Sequence, residues 1–286
     1  MEESKPLRIG LVMKSLLAEF FQTMQKGAEE YTARQHRYCL ITVGTDTQTE
    51  IERQTALVDE LTAQNVDAMV IVPIDSKALV APVARAVRKG IKVVNIDIRL
   101  NEALLKAEGI DLTFVGPDNL AAACAVGEML ASHLQAGDRV LVIEGLPVAE
   151  NAQQRKTGFE QAIASAGLVI AGSAPANWET KAAEEVFTSL YKQHPDIKGV
   201  FCCNDAMALG VINRMKQAGL KPGEIPVVGF DNDDAMQSLL QEGWLLATID
   251  AYGSQMAVQG IERALQIIDG QPEGGVYNTP FDLIVK

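Results

Sequence analysis

The feature that most constrains this chain is a repeated cadence of short apolar runs. Leu7–Met13, Tyr38–Val43, Asp67–Val72 and Ile91–Ile96 are β-rich, and a helix-length segment separates each from the next. The same cadence returns in Arg139–Ile143, Leu168–Gly172, Lys198–Cys203 and Ile225–Phe230. Strand starts at 7, 38, 67 and 91 are thus answered by starts at 139, 168, 198 and 225. Apolar strands alternating with helices predict a parallel sheet covered on both faces. Two such series predict two similar doubly wound units. The helices carry suitable stripes: Phe21, Met24, Ala28 and Tyr31 recur at helical spacing. Ala152–Ala166 and Ala206–Ala218 read as helices of the second series. The predicted class is α/β, with two doubly wound, Rossmann-like lobes.

Thr113–Asn119 (TFVGPDN) reads as a short strand crossing from one lobe to the other. Later come Leu245–Ile249, a helix over Ser254–Asp269, a QPEGG turn and a last strand, Pro280–Val285. If these extra elements complete both sheets, the chain crosses three times, and three crossings make a hinge. The expected division is 1–117 plus 252–280 for the N-terminal lobe and 118–251 plus 281–286 for the C-terminal lobe, with hinges near Pro117–Asp118, Ala251–Tyr252 and Phe281–Asp282.

Length and composition agree with this picture. At 286 residues, 48% hydrophobic and 22% charged, with a mean hydropathy of +0.07, the chain is ordinary globular material. A formal charge of −12 repels nucleic acid and anionic lipid. No apolar run approaches a membrane span, and MEESKPLRIG lacks the layout of a secretory leader, although an exported chain without its leader would begin this way. Cys39, Cys124, Cys202 and Cys203 show neither a CxxC nor a framework spacing and are expected to be buried structural thiols.

Open parallel sheets bind ligands beyond the carboxyl ends of their strands. The residues there are strongly polar: Lys14 after the first strand, Asp97 after the fourth, Asp118 and Asn119 at the crossover, Asn204 and Asp205 after GVFCC, and Asp231 after VVGF. Arg155 lies just inside the following helix, while Phe20, Phe21 and Trp178 add aromatic surface. Carboxylate, amide and guanidinium groups beside aromatic faces suit a small polyhydroxylated ligand. Asp205, Asp233 and Asp234 read as helix caps or solvated turn residues. For Asp118 a cap and a ligand contact are equally open, and the aromatics fit either core or platform. Asp97, between Ile96 and Ile98, demands a partner or a ligand.

Enzyme signals are weak. There is no GxGxxG after a strand, no GxxxxGK[ST], and no glycine in KSLLAEFF to cradle a phosphate, so no nucleotide cofactor is expected. His36, His133 and His194 fall near helix ends, away from the polar edge, which leaves no place for a catalytic relay or a zinc cluster. Asp231–Asp234 lacks the later ligands of a calcium loop. The expectation is a non-enzyme without cofactor or metal.

Taken together, LVMKSLLAEFF, MQKGAEE, VPIDSKALVAPVARAVRKGIKVVNIDI, GPDN, NAQQRKTGF, PANW, CCNDAMALG, VVGFD and PFDLIVK resemble the ribose-type periplasmic sugar-binding proteins of ABC transporters, most like the allose-binding branch. The resemblance runs end to end. It implies two lobes joined by three hinge strands, a monosaccharide or polyol enclosed when they close, an ABC permease as partner, a monomer, and a periplasmic location with the leader absent. It implies Phe20 and Phe21 near the sugar, Asp97 bonding its hydroxyls, Trp178 stacking on the opposite face, Arg155, Asn204 and Asp231 as polar contacts of the C-terminal lobe, and Lys14 as an allose-like feature. Ile98, Ala18, Val72 and Ala251 depart from the family pattern toward apolar residues, which implies a ligand with fewer hydroxyls at one end. The competing reading is the ligand-sensing core of a LacI-like regulator. Six residues before the first strand and the acidic charge disfavour it.

Overall fold

A computed structural model describes residues 6–286. The first series runs β1 (Leu7–Met13), α1 (Glu19–Thr32), β2 (Tyr38–Gly44), α2 (Ile51–Ala63), β3 (Ala68–Ile71), α3 (Val80–Arg88), β4 (Lys92–Ile96), α4 (Glu102–Ala107) and β5 (Thr113–Pro117). The second runs α5 (Asn119–Ala131), β6 (Arg139–Glu144), α6 (Glu150–Ser165), β7 (Val169–Pro175), α7 (Thr180–Gln193), β8 (Gly199–Cys202), α8 (Asp205–Gln217), β9 (Val227–Val228), α9 (Asp234–Glu242) and β10 (Ala247–Asp250). The closing elements are α10 (Gly253–Ile268), β11 (Val276–Thr279) and β12 (Asp282–Val285).

These elements form two six-stranded sheets, ordered β2-β1-β3-β4-β5-β11 and β7-β6-β8-β9-β10-β12. The chain divides into two compact units. The first takes the chain up to Gly116, then Val148–Glu150 and Tyr252–Thr279; the second takes Pro117–Pro147, Asn151–Ala251 and Pro280–Lys286. Both sheets share one topology, with the order reversing beside β1 and β6, the kind of switch point at which open α/β sheets bind ligands. β3 and β8 are buried along their whole length, which explains their unbroken apolar sequences. In the first unit, α1 buries Phe20, Phe21, Met24 and Ala28. In the second, Phe159 of α6 stacks on Phe201 of β8 with centroids 4.3 Å apart.

The structure corrects several boundaries. Only Val227–Val228 of the run Ile225–Phe230 forms regular strand, because Pro226 has no N–H to give to a ladder. Backbone bonds from Gly229 to Ala247 and from Asp231 to Ile249 nevertheless carry the pairing onward. The strand expected over Leu245–Ile249 starts at Ala247, since Trp244 and Leu245 donate their N–H groups to Leu239 around the left-handed Gly243 (φ +80°) that ends α9. α4, of six residues, is too short to show a period; the Asn101 side chain caps it by accepting from Leu104 N–H. β11 also escapes the sequence reading, being an edge strand with three exposed residues of four. The thiols divide: Cys202 and Cys203 are buried, Cys124 is partly buried, and Cys39 is exposed on the edge strand β2.

Candidate functional site

Each unit gathers polar side chains at the carboxyl edge of its own sheet. In the first unit, Lys14 follows β1 and is almost wholly buried. Its carbonyl accepts the Thr45 hydroxyl at 2.5 Å, and its ammonium lies 5.5 Å from the centroid of Phe21, within cation–π range. Phe20 and Phe21 meet edge to face, 5.2 Å apart at 83°. Ser15 Oγ orients their helix by accepting the N–H groups of Leu17 and Ala18. A Cβ at Gly253 would come within 2.9 Å of the Phe20 ring, so glycine there lets the start of α10 lie against the aromatic pair.

Asp97 stands just past β4, two strands along the same edge from β1. It is 3% exposed and takes φ +62°, a left-handed value rare outside glycine. Its turn is built by Asn95, whose Nδ2 donates to Ile98 O at 2.7 Å while its Oδ1 accepts from Leu100 N–H at 2.8 Å. Beside it, Gln54 of α2 donates to Val72 O (2.7 Å) and Met13 O (3.2 Å) and accepts from Ile74 N–H (2.7 Å). One buried amide thus satisfies three backbone groups where β1 and β3 end.

In the second unit the centre is Arg155, 3% exposed. Its Nε donates to Asn119 Oδ1 at 2.8 Å, and its Nη1 donates to Cys203 O at 2.8 Å and to Asp231 Oδ1 at 3.3 Å. The guanidinium carbon lies 3.5 Å from the Phe230 centroid and 5.6 Å from the Trp178 ring. The charge is therefore neutralised, hydrogen-bonded and stacked, as burial of an ion requires. Trp178 is buried and has φ +72°, after Asn177 at +54°. Asp231 and Asn232 also have positive φ, 122° and 56°. Strained residues gathered at strand ends are a mark of functional loops.

Asn204 follows this cluster and caps α8 by accepting from Met207 N–H at 3.0 Å. Asp118 is exposed and caps α5 through Ala121 N–H. Its neighbour Asn119, buried, is the residue that reaches Arg155. Asp205 departs from the expectation of a cap or solvated residue. It is 1% exposed and accepts the Thr248 hydroxyl at 2.8 Å and the Asp233 N–H at 3.1 Å. Burial pushes its carboxyl up to about 6, against the pull of these hydrogen bonds. Burial likewise pushes the Cys203 thiol up to about 12, so it is no nucleophile. Among the described residues, no group of three or more His, Cys, Asp or Glu could hold a metal ion.

Sequence reasoning missed Gln54, Asn95, Phe230 and Gly145. Gln54 and Asn95 lie inside elements, where a lone amide looks like any solvated polar residue. Gly145 makes room for Trp178: a Cβ there would fall 2.2 Å from the indole.

The family model for the periplasmic binding protein domain matches residues 9–272. The chain belongs to the periplasmic binding protein domain family. It is 43% identical to the D-ribose/D-allose-binding protein of Pseudomonas aeruginosa, over 97% of this chain and 88% of that protein. It is 30% identical to the D-allose-binding periplasmic protein of Escherichia coli, over 93% and 85%. Among solved structures of the family, an ABC transporter solute-binding protein from Burkholderia multivorans superposes with a TM-score of 0.95 at 40% identity, covering 99% of this chain and 100% of that one; its unknown ligand was built as α-D-erythrofuranose. A periplasmic solute-binding protein from Actinobacillus succinogenes with bound D-allose gives 0.91 at 33% identity and covers 98% of each chain. The two-lobed α/β architecture is that of periplasmic binding proteins of this type.

Proposed function

We propose that this protein captures a monosaccharide or a closely related polyol in the periplasm and delivers it to an ABC transporter permease. Arg155 carries the reading: a buried guanidinium, set 3.5 Å from the Phe230 ring centroid and 5.6 Å from the Trp178 ring and paired with Asp231. A fixed donor beside an acceptor-only carboxylate and an aromatic face matches a sugar, whose hydroxyls donate and accept while its C–H face packs on rings. Asp97, Lys14, Phe20 and Phe21 supply a second set of the same composition on the first unit. Asn204 adds an amide, and Asp118 serves more as a cap than as a contact. Relatives that match nearly end to end are named for D-ribose and D-allose, and a family structure holds D-allose.

Val72, Ile98 and Ala251 are buried apolar residues near these edges. They favour a ligand poorer in hydroxyls at one end, such as a deoxysugar or a short sugar. The test is a thermal-shift screen of pentoses, hexoses, deoxysugars and alditols, followed by calorimetry and product analysis. A true ligand at a hundred times its Kd raises stability by about 2.7 kcal/mol and is recovered unchanged. If no sugar or polyol shifts the melting temperature, or the sugar is converted, the reading is wrong.

A further inference from the structure

α6 follows β6 at the carboxyl edge of its sheet, and its opening turns carry Asn151 and, four residues later, Arg155. Residues four apart stand on one face of a helix. Arg155 has its partners in Asn119, Cys203 and Asp231. Asn151 is different. The residue is 3% exposed, yet its Oδ1 is buried with no hydrogen-bond partner. Buried polar atoms are nearly always paired, and an unpaired one in a native structure calls for an explanation. A structural asparagine would face a backbone N–H, as Asn95, Asn101 and Asn204 do.

We infer that Asn151 is a ligand-binding residue whose amide oxygen accepts a hydroxyl of the bound sugar. The inference rests on the reading of Arg155 as a sugar contact and adds a requirement to it: the ligand carries a hydroxyl toward α6. A hydroxyl is the fitting group because it donates to the oxygen and still accepts from a neighbouring donor. An analogue with hydrogen, fluorine or a carbonyl at that carbon leaves Oδ1 unpaired in a closed site and is rejected, as sites built to hydrogen-bond a hydroxyl reject ligands that lack it.

The test titrates the wild-type protein, Asn151→Leu, Asn151→Ala and Arg155→Ala calorimetrically with D-allose, D-ribose and their monodeoxy analogues, alongside melting curves of the free proteins. Leu matches Asn in size and lacks the acceptor; Ala, the best helix former, keeps the experiment decisive if Leu prevents folding. Asn151→Leu or Asn151→Ala is expected to weaken binding of the preferred sugar at least tenfold, with a free-state melting temperature unchanged or higher, since the deleted oxygen has no partner to lose. One monodeoxy analogue should bind the wild type and the variant equally weakly, which a merely structural role would not produce. Affinity within twofold of wild type in both variants, or a fall in melting temperature with affinity kept, overturns the inference. If Arg155→Ala loses binding while both Asn151 variants keep it, only the inference fails. If the wild type binds none of these sugars, the functional reading fails and the inference falls with it.

Discussion

Arg155 and Asp205 are both buried ions, and their surroundings lead to opposite behaviour. Arg155 joins three polar partners from separate parts of the second unit, so its removal leaves the Asp231 carboxylate and the Asn119 amide with unmet polar groups. Arg155→Ala should abolish measurable sugar binding and also cost about 3 kcal/mol of stability, read as a lower denaturation midpoint. Arg155→Lys should recover little of either, because a point charge cannot reproduce the stacked fork. Asp205 is instead held above its ordinary value, at about 6, chiefly by burial. Between the unfolded value near 4 and 6 the folded protein binds the extra proton, so this group's contribution to stability is fully present below about 4 and is lost as pH rises through 6. The two values lie about 2 pH units apart, so the swing is on the order of 3 kcal/mol. Asp205→Asn should remove that part of the stability-versus-pH curve. Identical slopes for wild type and variant between pH 4 and 6.5 would show that Asp205 titrates normally.

Turns at strand ends determine where the aromatic and acidic groups stand. Gly145 after β6 has space for hydrogen only, since the indole of Trp178 occupies the place of a side chain. Gly145→Ala should displace that ring, shifting Trp178 fluorescence (with Trp244→Phe as background) and weakening sugar binding by more than tenfold; an unchanged spectrum with full affinity would mean that the ring has room to spare. In the first unit, Gln54→Leu fills the same space but strands Met13 O, Val72 O and Ile74 N–H. With about 1 kcal/mol for each lost bond, denaturant unfolding should show a loss of about 2 to 3 kcal/mol. The alternating apolar runs made the major elements readable, because a buried parallel strand leaves the same mark wherever it occurs. β11 and α4 left no such mark, one being exposed and the other too short. Candidate site residues are legible in the sequence where a polar side chain follows a strand, as Lys14, Asp97, Asn204 and Asp231 do, with Arg155 just inside a helix. Proximity in sequence could not tell Asp118, an exposed cap, from Asn119, the buried partner of Arg155, because the two differ only in which way a helix start turns them.

At the scale of the whole molecule, the two sheets have the same strand order, and apart from the short stretch Val148–Glu150 that belongs to the first unit, the chain passes between the units at Gly116–Pro117, Ala251–Tyr252 and Thr279–Pro280. This topology draws the first unit from both ends of the sequence. α10 buries Met256, Ala257, Ile261, Ala264 and Leu265, and Gly260 lies 2.8 Å, measured from where its Cβ would stand, from Ile96 and Val70 of the first sheet. A fragment ending at Asp250 therefore lacks the helix that covers β3 and β4, and it also lacks β11 and β12. It should show no cooperative unfolding transition and should expose apolar surface to a fluorescent dye. A sharp melt for that fragment would mean that the closing elements are accessory.

That arrangement has a consequence for synthesis. Each sheet receives one of its two edge strands from the closing segment, β11 for one and β12 for the other, so a chain emerging from the ribosome has both sheets incomplete until its last residues appear. Two long stretches of sequence must wait for a common final event, and until then the nascent chain remains pliable and open to chaperones. A ribosome stalled shortly before the codon for Val276 should hold a protease-sensitive chain, whereas release of the finished chain should bring protection to both units together.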